Sequence, residues 1–92
     1  SLGVSVLVLE CIPSDLAKTI SEKLTIPTIG IGAGVHCDGQ VLVSYDMLGI
    51  TTGKQPRFVR NFLSNQITIS DAVESFVVEV KEGRFPSESE SY

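Results

Sequence analysis

Four apolar residues in succession, Val6-Leu7-Val8-Leu9, with Val4 just upstream, constrain this chain more than any other feature. A run this short and this apolar reads as a strand buried on both faces, as in the parallel sheets of α/β folds. It closes on Glu10, Cys11, Ile12 and Pro13, so a carboxylate sits where the strand should emerge. Parallel α/β sheets bind ligands at the carboxyl ends of their strands. Glu10 therefore stands where an enzyme of this class places an acid or base. A Glu on a solvated loop fits the same position.

The next residues carry helix signals. Ser14 reads as an N-cap and Asp15 as a favourable first-turn acid. Leu16, Ala17, Ile20 and Leu24 recur at helical spacing, with Lys18, Ser21, Glu22 and Lys23 facing away. Pro27 stops the helix, and Thr28-Ile29-Gly30-Ile31 opens a second strand. Strand, helix and strand in this space make a βαβ unit with parallel strands and a right-handed crossover. Val41-Leu42-Val43 is a third strand, with Tyr45 to Ile50 as its exit loop.

The second strand leaves through Gly30-Ile31-Gly32-Ala33-Gly34. Free N–H groups in such a loop can hold a carboxylate or phosphate, which makes the backbone of Gly32, Ala33 and Gly34 a candidate substrate contact. Neither the P-loop nor the dinucleotide fingerprint is met, and a tight strand exit with no ligand fits equally. His36-Cys37-Asp38 tempts toward a metal site, but three consecutive loop residues rarely aim at one ion, and no second cluster completes the set. Asp38-Gly39 reads as a turn.

The remainder is scaffold. Phe58, Val59, Phe62 and Leu63 suit a short helix after Pro56, and Lys54, Arg57 and Arg60 read as its solvated face. Ser70 is positioned to cap a longer helix, with Ala72, Val73, Phe76, Val77 and Val80 on one side and Gly83 at its end. Pro86 to Tyr92 form a polar tail, mobile unless it folds over a neighbour.

The net charge of −4, with scattered basic residues, argues against nucleic acid. No 18-residue apolar run exists for a membrane span, and Ser1-Leu2-Gly3 lacks the basic start of a signal peptide. Cys11 and Cys37 are expected to stay reduced and packed, as in a cytoplasmic protein. No histidine lies near Cys11 in sequence, so it reads as structural.

Three linked motifs then carry a resemblance. Val8-Leu9-Glu10-Cys11-Ile12-Pro13, Ile26-Pro27-Thr28-Ile29-Gly30-Ile31-Gly32-Ala33-Gly34 and Asp38-Gly39-Gln40-Val41-Leu42-Val43 occur in this order and separation. Together with Pro56-Arg57-Phe58-Val59 and Glu82-Gly83-Arg84-Phe85-Pro86, they resemble the C-terminal third of the ketopantoate hydroxymethyltransferase family. The resemblance implies an α/β fold, the C-terminal portion of a (β/α)8 TIM-type barrel with about three parallel strands and flanking helices. Residues 1–86 would form that incomplete barrel and 87–92 a polar tail. A closed barrel needs about 250 residues, so the chain reads as a piece of a longer enzyme.

The resemblance also implies a reaction: transfer of a hydroxymethyl group from 5,10-methylenetetrahydrofolate to the oxo acid 3-methyl-2-oxobutanoate, giving 2-dehydropantoate for pantothenate and coenzyme A. Glu10 maps onto the family's general base. The implied cofactor is Mg²⁺, whose ligands are expected upstream, so no metal ligand is assigned in this chain. Tyr45 stands where the family usually carries His, and Ser89-Glu90-Ser91 where it often carries another. Open sheet edges imply a homo-oligomer or association with another chain. Two alternatives stay open: another magnesium-dependent oxo-acid barrel enzyme, and a non-enzymatic piece inactive on its own.

Overall fold

The computed structural model describes residues 3–92. The signal-peptide reading of Ser1 and Leu2 lies outside them. Three strands, β1 (Leu7–Glu10), β2 (Thr28–Ile31) and β3 (Gly39–Gln40), form one parallel sheet in the order β1-β2-β3. Helix α1 (Ser14–Lys23) crosses between β1 and β2, so the βαβ unit forms as the spacing requires. Helix α2 (Ser44–Met47) follows the third strand, α3 (Ile69–Lys81) follows a run of turns, and a 3₁₀ turn, Glu88–Glu90, closes the tail.

Register divides the sheet into two unlike faces. Leu7 pairs with Thr28 and Leu9 with Gly30, so these four share one side. That side meets α1: Leu9, Ala17 and Ala33 are buried together, with Leu7, Ile12, Ile20 and Cys37 packed round them. The other side carries Val6, Val8 and Glu10, with Ile29 and Ile31 beside them. Val8 is 58% exposed and Val6 48%. The strand expected to be buried on both faces is thus covered on one, because among the described residues every helix packed on β1 lies on the side of Leu9.

A second cluster lies beyond β3. Leu42, Met47, Phe62, Ala72 and Phe85 are buried in it. Phe62 meets Phe76 and Phe85 edge to face at 5.4 and 5.2 Å, the geometry aromatic quadrupoles favour.

Several local expectations are corrected. Val41 to Val43 are not ladder strand: β3 is two residues long, and pairing ends with Val41 N–H donating to the Gly30 carbonyl at 2.9 Å. The exit loop expected at Tyr45 contains α2 instead. Residues 56–63 form turns, not a helix, since Phe62 N–H is drawn to the Met47 carbonyl at 2.8 Å. Ser14 is the first residue inside α1, with Pro13 before it; Leu16 and Leu24 face outward. The cap of α3 is Thr68, whose hydroxyl accepts from Asp71 N–H at 3.1 Å, so Ser70 lies inside the helix. Ala72, Phe76 and Val80 face the core as expected, whereas Val73 and Val77 stay exposed. Gly83, at φ +72°, ends α3 in the left-handed conformation expected of it. Among the described residues no helix is long and apolar enough to cross a membrane.

Candidate functional site

Glu10 ends β1 on the uncovered face, its side chain exposed among Val8, Ile29 and Ile31. Pairing runs one residue further, with Cys11 N–H donating to the Ile31 carbonyl at 2.9 Å. The chain then turns sharply. Cys11 has φ +52°, a left-handed conformation that costs a non-glycine residue of order 1–3 kcal/mol and persists only where neighbours impose it. Its thiol is free and exposed, not packed as expected; Cys37 is free and half-buried.

The glycine loop is packed against this turn. A side chain at Gly32 would meet the Phe58 ring at 2.8 Å and Cys11 Sγ at 3.3 Å. Ala33 is fully buried against Leu9 and Ala17. Gly34, at φ +83°, has no room for a side chain, since a Cβ there would fall on the Ser14 hydroxyl and Cβ, and its carbonyl accepts from Gln40 Nε2 at 2.8 Å. Packing alone accounts for all three small residues.

Asp38 forms more than a turn. It accepts from Thr28 N–H at 2.8 Å and from the Thr28 hydroxyl at 3.2 Å, tying the β3 entry to the start of β2. Thr28 is fully buried and also bonds Ser21 of α1 at 2.7 Å. Among the described residues no three His, Cys, Asp or Glu side chains converge as a metal site would need. Tyr45 lies on α2 and is 62% exposed.

The tail is not loose. Ser87 and Glu90 form a reciprocal capping box, and Arg60 grips the Glu90 carboxylate with Nε at 3.0 Å and Nη2 at 2.7 Å. Burial pushes the Glu90 carboxyl up, but hydrogen bonds from Arg60 and from the Ser87 N–H and hydroxyl hold it below its ordinary value. The hydrogen bond to Glu90, chiefly, raises Arg60, against the opposing effect of burial. Arg60 also binds Glu79 of α3 at 3.3 Å and lies over the Phe85 ring. Arg57 donates to the Ser91 carbonyl at 3.2 Å and stacks on Tyr92. The expected solvated basic face is therefore two anchors for the tail, and the Ser-x-x-Glu spacing of residues 87–90 was the readable signal for it. A groove of about 410 Å³ runs between the start of α1, His36 and the tail residues Glu88, Ser91 and Tyr92; Glu10 does not line it.

A parallel sheet with helix on one side, and a carboxylate and a glycine loop at its carboxyl ends, defines an α/β segment of the TIM-barrel kind, in which ligand sites form at the strand ends. The family model for ketopantoate hydroxymethyltransferase matches residues 1–88. The chain is 61% identical over all its 92 residues to the 3-methyl-2-oxobutanoate hydroxymethyltransferase of Ruthia magnifica, covering 35% of that protein. It is 55% identical over 92 residues to the protein of the same name from Vesicomyosocius okutanii, again covering 35% of it. It is 51% identical over 90 residues (98% of this chain) to a probable 3-methyl-2-oxobutanoate hydroxymethyltransferase of Schizosaccharomyces pombe, covering 34% of it. The chain belongs to the ketopantoate hydroxymethyltransferase family. It spans about a third of the length of the curated relatives it matches.

Proposed function

We propose that the protein carrying this chain transfers a hydroxymethyl group from 5,10-methylenetetrahydrofolate to 3-methyl-2-oxobutanoate, giving 2-dehydropantoate, and that Glu10 is its general base. The observation that supports this is the place of Glu10: at a strand's carboxyl end, on the sheet face that no helix covers. There its carboxylate takes the proton from the carbon next to the ketone. Both C–N bonds that hold the donor's methylene break, with water supplying the oxygen and its two protons going to the nitrogens. The carbanion bonds to that carbon, and its oxygen takes the proton back from the Glu10 carboxyl to become the hydroxyl. Val8, Ile29 and Ile31 flank the carboxylate and supply apolar surface beside it. Mg²⁺, bound by residues outside this chain, would supply Lewis-acid stabilisation of the enolate charge. The backbone of Gly32 to Gly34 is the proposed neighbour of the oxo acid.

The open face of the sheet supports a (β/α)8 barrel completed by further strands, and association with other copies. It also supports the inactivity of these residues alone, since a base on an open face does not exclude water. A cytoplasmic location fits two free thiols.

Glu10→Gln in the full-length protein tests the reading. Loss of the general base should slow deuterium exchange at the carbon next to the ketone by about 10²–10⁴-fold with folding intact. Near-normal exchange refutes it.

A further inference from the structure

The Glu10–Ser14 turn is strained at Cys11 and lacks the usual support at its far end. Pro13 precedes α1 and supplies no side-chain cap, so Ser14 N–H would be left without a partner at the helix start. That N–H donates instead to Tyr92 O at 3.1 Å. The tail making this bond is itself fixed twice, by Arg57 at Ser91 and Tyr92 and by Arg60 at Glu90. On its other side Ser14 is backed by Gly34. The turn leaving Glu10 is thus held between the glycine loop and the tail.

We propose that the segment Ser87–Tyr92 is a clamp that holds the Glu10–Ser14 turn in its strained conformation, with Arg57 and Arg60 as positioning residues for the base. This rests on the reading of Glu10 as the general base. The clamp costs nothing at the chemical step, because its contacts are made before substrate arrives. Its effect is to remove the freedom of a turn that carries the reacting carboxylate, where a misplacement of about 1 Å can cost a factor of 10² in rate.

The test uses Arg57→Gln, Arg60→Met and Arg60→Lys in the full-length protein, with two readouts. The first is kcat and KM for proton exchange on the oxo acid. The clamp predicts a fall in kcat of about tenfold for Arg57→Gln and Arg60→Met with KM changed by less than about twofold, and substantial recovery in Arg60→Lys, which keeps a cation for Glu90. The second is the rate of Cys11 alkylation by iodoacetamide, followed by peptide mapping, which reports the turn whatever the reaction. Loosening should raise it by about threefold or more. Unchanged alkylation in both Arg57→Gln and Arg60→Met overturns the clamp. Raised alkylation with unchanged kcat, while Glu10→Gln abolishes exchange, overturns the positioning role. If Glu10→Gln keeps its exchange, the reading of Glu10 falls, and alkylation still decides the clamp. Arg60→Met also leaves Glu79 without that partner; should it unfold, Arg57→Gln decides, because Arg57 makes its hydrogen bond and ring contact with the tail.

Discussion

Gly34→Ala separates two costs that are usually entangled. Gly34 and Gly53 have φ +83° and +89°, both in the left-handed region. Placing an L side chain there costs roughly 1–2 kcal/mol. A Cβ at Gly53 meets nothing within 4 Å, so Gly53→Ala should show that conformational cost alone. A Cβ at Gly34 meets the Ser14 hydroxyl, and lies 2.7 Å from Ser14 Cβ and 3.0 Å from the Ser14 backbone. That backbone belongs to the first turn of α1, which is tied to the tail and cannot yield without losing that bond. Overpacking of this kind adds about 1–3 kcal/mol. In the full-length protein the gap between the two variants should therefore be about 1–3 kcal/mol, or about 2–12 °C in thermal midpoint.

Ser14→Gly sharpens the test. It removes the hydroxyl and Cβ and leaves only the close approach to the backbone of residue 14. The Gly34→Ala/Ser14→Gly double variant should therefore be less destabilised than the sum of the two singles, by about 1–2 kcal/mol. The φ cost at Gly34 stays, and the double variant should remain less stable than the parent. Differential scanning calorimetry on the four proteins closes the cycle. Gly34→Ala within about 0.5 kcal/mol of Gly53→Ala, or a coupling smaller than about 0.5 kcal/mol, would refute the packing account of the glycine loop.

Two other outcomes follow from buried polar contacts. Thr28→Val should lower stability by about 1–3 kcal/mol in denaturant unfolding, since it keeps shape but strips partners from Ser21 and Asp38. Glu90 sits below its ordinary value of 4.5, so its contribution is complete above that value and is lost as pH falls through the lower folded value. Tail amides should accordingly exchange faster with solvent once the pH is taken below the lowered Glu90 value than at pH 6, after correction for intrinsic rates, and Glu90→Gln should remove that difference.

The βαβ unit, the strand-end place of Glu10 and the end of α3 at Gly83 were legible because each rests on local chemistry: an apolar run, helical spacing, a residue that accepts positive φ. The failures share a cause. Phe58, Val59, Phe62 and Leu63 have helical spacing, but Phe62 is fixed by an edge-to-face contact with Phe85, far along the chain. Ser14 looks like a cap, yet Pro13 takes the cap position in an extended conformation without a side-chain acceptor, and Tyr92 O, far along the chain, accepts from the Ser14 N–H. Thr68 and Ser70 are both good caps, and nothing local decides between them. Arg57 and Arg60 look like a solvated face because their partners lie about thirty residues away.

The same contrast explains why the site was legible as a position and not as a constellation. A strand's period of two fixes Glu10 to the face of Val6 and Val8 as soon as Leu9 is buried, and no other contact is needed for that. What the period cannot give is the conformation of Cys11 one residue later, where the backbone leaves the regular strand. β1 ends there, the glycine loop lies against it at Gly32, and the loop and the tail meet three residues further on at Ser14. The turn that leaves Glu10 is thus positioned by chain far from it in sequence. Substitutions at Arg57, Arg60 or Gly34 should therefore act on Glu10 more strongly than substitutions at exposed Leu16, which is closer in sequence and supports nothing in that turn.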